Sequence, residues 1–214
     1  MRINHNIAPM IGAGSIHKAR VSLNKTIEKL STGLRVNRAS DDAAGLAISE
    51  NLRTQVRGLG AAKRNAQDGI ALLNIAEGAM GEISDILQRM RELAVQSATD
   101  TLTDTERGYA NQEYGQLVSE IDRITVSAKY NGQTLIDGTG WQGSILHIGA
   151  NDGTTADEMT VTIEDVTAGT LGVDAEDLNG QTNALDAITA IDLAINTVNS
   201  GRSDLGAYTN RLEH

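Results

Sequence analysis

The chain has 214 residues, a formal net charge of −10, no cysteine, a single proline at Pro9 and only 2% aromatic residues. That balance excludes a general nucleic-acid binder, which needs a basic face, and disfavours adhesion to an anionic membrane. It also excludes disulfide and thiolate chemistry. A core this poor in aromatics must be built from Ala, Ile, Leu, Val and Met, which suits thin layers between helices.

In chain order, Ile3, Ile7, Met10 and Ile11 begin an apolar stripe. Ile16, Leu23, Ile27, Leu30 and Leu34 continue it at heptad spacing, with Arg20 breaking the series. Pro9 is tolerated near a helix start and Gly33 fits a helix end, so the spacing predicts a helix over about 9–33. Left exposed, the stripe would be an apolar patch. It needs a partner, within the chain or on another subunit.

Residues 35–48 are small and polar without a clean period. Ser40, Asp41 and Asp42 are N-cap candidates for the next helix. Adjacent carboxylates also raise metal or acid–base chemistry, but no further carboxylate or histidine lies at ligand spacing, so capping and turn formation is preferred.

From about Leu52 to Ala98 apolar residues recur at steps of three and four: Leu52, Val56, Leu59, Ala66, Ile70, Leu73, Met80, Ile83, Leu87, Met90 and Ala94. A second row at Leu72, Ile75, Ala79, Ile86 and Leu93 widens the face. This reads as one helix on the order of 70 Å long, with other helices laid along it. Glycines 58, 60, 69, 78 and 81 leave the apolar phase intact, so they are read as places of close helix–helix approach.

A polar turn follows near 99–104. Thr103 and Glu106 match the capping box. Ala110, Tyr114, Leu117, Ile121, Ile124 and Ala128 then predict a helix folding back antiparallel. Asn131-Gly132 and Asp137-Gly138 are turn signals. The β-prone runs 145–148 and 159–163 predict a hairpin with its loop around 150–157. Asn151, Asp152, Asp157 and Glu158 lack the order of a calcium loop and are read as solvated.

A short acidic connector is expected from Asp165 to Gln181. A last long helix from about Asn183 has its face at Leu185, Ile188, Ile195, Val198, Leu205 and Leu212. The pattern runs out at His214 without a stop signal, so a truncated helix, or the remnant of an affinity tag, is expected there.

The fold class is thus mainly α: an elongated, coiled-coil-like antiparallel bundle of long helices with a small β-hairpin region. His5, His17, His147 and His214 are scattered, and no zincin, nucleophile-elbow, P-loop or dinucleotide motif occurs. No catalytic, metal or cofactor site is expected. No apolar run is long enough for a bilayer, and the first 15 residues lack the build of a cleaved secretory signal, so physics alone gives a cytoplasmic default.

Several blocks carry a resemblance: MRINHNI at 1–7, LSTGLRVNRASDDAAGLAI at 30–48, LQRMRELAVQ at 87–96, Asn131-Gly132, GANDG at 149–153 and SDLGA at 203–207. Together, and in this order, they closely resemble bacterial flagellin over nearly the whole chain. The resemblance implies the repeating subunit of the flagellar filament, an extracellular homopolymer. It implies export by the flagellar type III machinery without a cleaved signal, and contacts with hook-associated junction and cap proteins.

It also implies a division: an inner-core helix over 1–34, a spoke over 35–50 and an outer-core domain over 51–165. A short variable connector over 166–181 then leads to the start of a C-terminal outer-core helix over 182–214. Ile3, Ile7, Ile16, Leu23, Ile27, Leu30 and Leu34 are then inner-core packing residues, and Arg35, Asn37, Arg38, Asp41 and Asp42 belong to the spoke. Leu87, Gln88, Arg89, Glu92, Leu93 and Gln96 form an assembly surface. A host Toll-like receptor that senses flagellin is a further implied partner there. The rival readings are the hook–filament junction protein, a flagellin-like enzyme carrying an inserted protease, and a non-flagellar helical adaptor.

Overall fold

A computed structural model describes residues 7–152 and 156–214. The chain divides into two compact units, Met1–Arg57 and Gly58–His214. The elements in order are α1 (Ile7–Thr32), α2 (Ala43–Ser97), α3 (Asp104–Ser127), β1 (Lys129–Tyr130), β2 (Gln133–Thr134), β3 (Ser144–His147), β4 (Glu158–Val161), α4 (Ala168–Leu171) and α5 (Gln181–Glu213).

In the first unit, α1 has no buried residue. Its C-terminal glycine, Gly33, takes φ +69° and turns the chain back. The return segment folds onto the polar side of α1. Arg38 Nε donates to Glu28 Oε1 at 2.9 Å, Lys25 Nζ lies 3.5 Å from Asp41, and Asn37 Nδ2 donates to Thr32 Oγ1 at 2.8 Å. Of the three N-cap candidates, Asp42 caps: its Oδ1 accepts from the Gly45 amide at 2.9 Å. Helix α2 therefore starts at Ala43, inside the stretch that shows no period in the sequence, because the cap decides the start and the small residues after it all tolerate helix.

The second unit holds the core. Leu72, Leu73, Ala76, Met80, Ile83, Leu87, Met90, Leu93 and Ala94 of α2 are buried against Tyr114 and Ile121 of α3 and against Ala184, Ala187, Ile191, Ala194, Val198 and Leu205 of α5. Polar contacts fix the directions. Arg107 at the start of α3 reaches Ser97 at the end of α2, and Glu113 further along α3 meets Arg89 further back on α2. Arg91 of α2 meets Asp192 of α5, and Glu77 of α2 meets Arg202 of α5. Both partners therefore run antiparallel to α2.

Alanine at three of the buried α5 positions, and Gly201 at another, bring its backbone close. A Cβ on Gly201 would lie 3.5 Å from Met80 Cε. The face of α5 is consequently rotated from the one the larger residues mark, and Leu185 is exposed. Ile75 on α2 is exposed for the same kind of reason: the seam is narrower than its two rows of apolar residues.

Glycines 58, 60, 69, 78 and 81 do not all mark a close approach, contrary to the expectation from the sequence. A Cβ on Gly58 would press on Ala150 and one on Gly69 on Leu146 and Leu212, but at Gly60, Gly78 and Gly81 it would meet nothing within 4 Å. Close approach holds at two positions, and mainly against the hairpin region rather than helix on helix.

The Asn131-Gly132 turn and the predicted hairpin form antiparallel pairs, while Gly138 (φ +75°) lies outside both. Asn131 (φ +50°) and Gly132 (φ +82°) make the two-residue turn between β1 and β2, where left-handed backbone is required. Strands β3 and β4 pair Ser144 with Val161 through to His147 with Glu158. Met159 and Val161 point inward, and Asn65 Nδ2 of α2 donates to the His147 carbonyl at 2.9 Å. Of the hairpin loop, residues 153–155 lie outside the described residues.

The acidic connector after β4 is anchored in the core. Val166, Ala168, Leu171, Val173 and Leu178 are all buried, and residues 165–180 form a strap across α3. Three α3 side chains hold its backbone: Asp122 Oδ1 accepts from the Ala168 amide, Tyr114 Oη donates to the Val173 carbonyl at 2.9 Å, and Asn111 Oδ1 accepts from the Leu178 amide. The acidic residues between the apolar ones give the segment its polar average, while the apolar ones anchor it.

Tyr114→Phe leaves the Val173 carbonyl without its donor and should cost about 1–3 kcal/mol in urea unfolding. Burial, then the charges of Glu176 and Asp174, raise the phenol's pKa. A group raised in the fold contributes stability that is full below its unfolded pKa, about 10, and is lost as pH climbs beyond it. The Phe variant should show a shallower loss of stability on the alkaline side, read by circular dichroism.

Candidate functional surfaces

Among the described residues no group of His, Asp and Glu could hold a metal ion. What the chain presents instead are surfaces of two kinds.

The first is apolar and lies in the first unit. Ile7, Ile16, Leu23, Ile27, Leu30 and Leu34 are all more than half exposed, Leu30 at 83%. Ile3 lies outside the described residues. By the helix's turn per residue, Ile16, Leu23, Ile27 and Leu30 share one side of α1, and Lys18, Lys25 and Lys29 stand on the other. Ile7 falls on the lysine side by the same count, so the seam proper begins at Ile16. The return segment covers the polar side, and the folding of 35–42 leaves the seam open. Burial pushes Asp41 up, but the Asn37 backbone and then Lys29 and Lys25 outweigh it and hold its carboxyl below the usual range. Arg35 borders an open depression with Thr26, Lys29, Leu30, Gly33 and Leu34. Ile48, Leu52 and Val56 of α2 are exposed as well.

The second surface is polar and lies on α2 in the second unit. Gln88, Arg91, Glu92, Val95 and Gln96 line an open depression of about 570 Å³. Arg89 bridges two carboxylates, Glu113 on α3 at 2.8 Å and Glu92 one turn along at 3.0 Å, and these bonds, Glu113 first, raise its pKa. Arg91 is tied to Asp192 of α5 at 2.7 Å. Leu87 and Leu93 are at 0% and 3% exposure. They support this surface from beneath and are not part of it. Their helical phase is that of the buried Met80, Ile83 and Met90 rather than that of Arg89 and Gln96.

The corner between α2 and α3 shows a residue that sequence reasoning missed. Arg107 is buried. Its Nε donates to the Ser97 carbonyl at 3.0 Å, one terminal nitrogen to the Thr99 carbonyl at 2.8 Å, and the other pairs with Asp104 at 3.1 Å. The only signal was a cation directly after the capping box. That box forms as expected: Glu106 accepts from the Thr103 amide, which lowers its pKa, and Thr103 Oγ1 accepts from the Glu106 amide.

The net charge also hides a division. Residues 1–57 carry nine Lys and Arg against four Asp and Glu, and residues 58–214 carry nine against 24. The unit with the apolar seam is basic, and the unit with the closed core is strongly acidic.

The family profile for the bacterial flagellin N-terminal helical region matches residues 3–140. The chain belongs to the bacterial flagellin family. A flagellin of Halalkalibacterium halodurans is 49% identical over the whole of this chain and 78% of the relative. The flagellin of Bacillus subtilis is 40% identical over the whole chain and 80% of that relative. Among solved structures, Bacillus cereus flagellin aligns with a TM-score of 0.63 at 34% identity, covering 71% of this chain and 86% of that one. A hook-associated protein from Vibrio parahaemolyticus, at 17% identity and a TM-score of 0.64, covers 82% of this chain and 91% of its own, and shares the fold. Filament-subunit function and the long-helix fold expected from the sequence agree with the flagellin relatives.

Arg107→Met keeps the aliphatic stem and removes the donors to two corner carbonyls. Urea unfolding should show a loss of about 2–3 kcal/mol, the scale of hydrogen bonds to a charged group. An unchanged midpoint would deny the corner its stabilising role.

Proposed function

We propose that this flagellin acts as a non-catalytic building block whose open α1 seam is covered by neighbouring copies in the filament. The observation that carries this reading is a helix of 26 residues with none buried. Burying a large apolar side chain is worth about 1.5–3 kcal/mol, while an exposed ion pair is worth under about 1 kcal/mol. Several seam residues together therefore dominate assembly, and the polar flank of α2 sets register between copies.

In this reading residues 1–34 form the inner core and 35–50 the spoke. Residues 51–165 and the helix from 182 form the outer core, joined by the short connector 166–181. The chain is exported by the type III route, meets junction and cap proteins at the filament ends, and functions outside the cell. No described helix is long and apolar enough to cross a membrane. Relatives named flagellin or filament core protein, at 40–49% identity, favour the filament subunit over the hook–filament junction protein.

The double variant Leu23→Asp, Ile27→Asp tests the seam. Since α1 contributes nothing to the core, the thermal midpoint should stay in place while growth from filament seeds, followed by pelleting, is lost. Growth at the normal rate would defeat the seam assignment.

For the receptor reading, the exposed residues are the ones to change. Arg89→Ala with Gln96→Ala should lower signalling in reporter cells at least several-fold while circular dichroism stays the same. Full signalling by that folded variant would remove the receptor from this surface.

A further inference from the structure

The sequence holds two Asn-Gly pairs, Asn131-Gly132 and Asn179-Gly180, and the fold treats them differently. We propose that Asn179 is a site of spontaneous deamidation in the folded chain and that Asn131 is protected.

The reaction needs only water. The backbone nitrogen of Gly180 attacks Cγ of Asn179, a new N–C bond closes a succinimide ring, and the side-chain nitrogen leaves as ammonia. Water then opens the ring at either carbonyl, giving aspartate or isoaspartate. Ring closure requires the asparagine ψ to rotate and the following amide to be free, with no Cβ crowding the attack. Glycine meets the last condition at both positions.

Asn131 fails the first condition. It sits at φ +50° in a two-residue turn clamped by the pairs Lys129 with Thr134 and Tyr130 with Gln133, and the Leu135 amide donating to the Ala128 carbonyl closes the ladder behind it. Rotating ψ there means opening the hairpin.

Asn179 lies between the strap and α5, outside any ladder. Its own amide donates to Asp177 Oδ1 at 3.1 Å, and the Gly180 carbonyl accepts from the Ala184 amide, while the Gly180 amide itself has no hydrogen-bond partner among the described residues. The Asn183 side chain first, then the Asn179 backbone amide and least the Asn179 side chain, hold the Asp177 carboxyl below its usual range. Isoaspartate would lengthen the main chain by one methylene between Leu178, which Asn111 holds, and Asn183, which Asp177 holds at 2.7 Å.

The test is mass spectrometry with electron-transfer fragmentation of the full chain aged in mildly alkaline buffer. Conversion at position 179 should run several-fold faster than at 131 in the folded chain, and the two rates should converge in concentrated urea. Gly180→Ala should slow it, and the substitution is compatible with the fold, since its Cβ would meet nothing nearer than Asn183 at 3.9 Å. Equal rates in the folded chain, faster conversion at 131, or no conversion while the urea-unfolded chain reacts would each overturn the proposal.

Discussion

One constraint governs this molecule: the apolar face of α2 has to be covered. From Leu72 to Ser97 the chain covers it with its own α3 and α5. At Ile48, Leu52, Val56 and Leu59 it does not, and α1 is equally bare. The same helical pattern thus serves a closed core in one part of the chain and an open surface in another. Hydrophobic burial is non-directional and scales with area, so an open seam of this length is a standing drive toward association.

Polar groups decide direction and ends where apolar ones supply the drive. Arg89, Arg91 and Arg202 each reach across to a neighbouring helix, and Arg107 fills the corner that joins α2 to α3. Exposed ion pairs add little stability. Their value here is in register, since each of the three cations has a partner on a different helix from its own. Buried Arg107 differs, because removing it leaves carbonyls without donors.

The strap at 165–180 joins the core, with its short helix against both α3 and α5. Its mixture of buried apolar residues with half-buried or exposed acidic ones lets a largely irregular backbone lie on a helix, with α3 side chains satisfying the amides and carbonyl that no ladder supplies. The result is a core completed by a segment with almost no regular structure of its own.

Residue spacing alone was enough for the long helices, the capping box at Thr103, the turn at Asn131-Gly132 and the apolar stripe of α1, though not for whether the chain itself covers that stripe. Periodicity and cap chemistry are local, so they can be read without knowing what stands opposite. The family resemblance, too, lay in contiguous blocks. The folded chain was needed to settle which glycines are crowded, that Leu185 and Ile75 face outward, that Leu87 and Leu93 lie beneath the polar surface, and that the acidic stretch before α5 is a buried strap. Each of those depends on a residue's opposite number, and opposition between distant segments has no local signal. Arg107 shows the difference most plainly: its three partners lie within ten residues in sequence, yet only the folded corner brings their oxygens to one guanidinium.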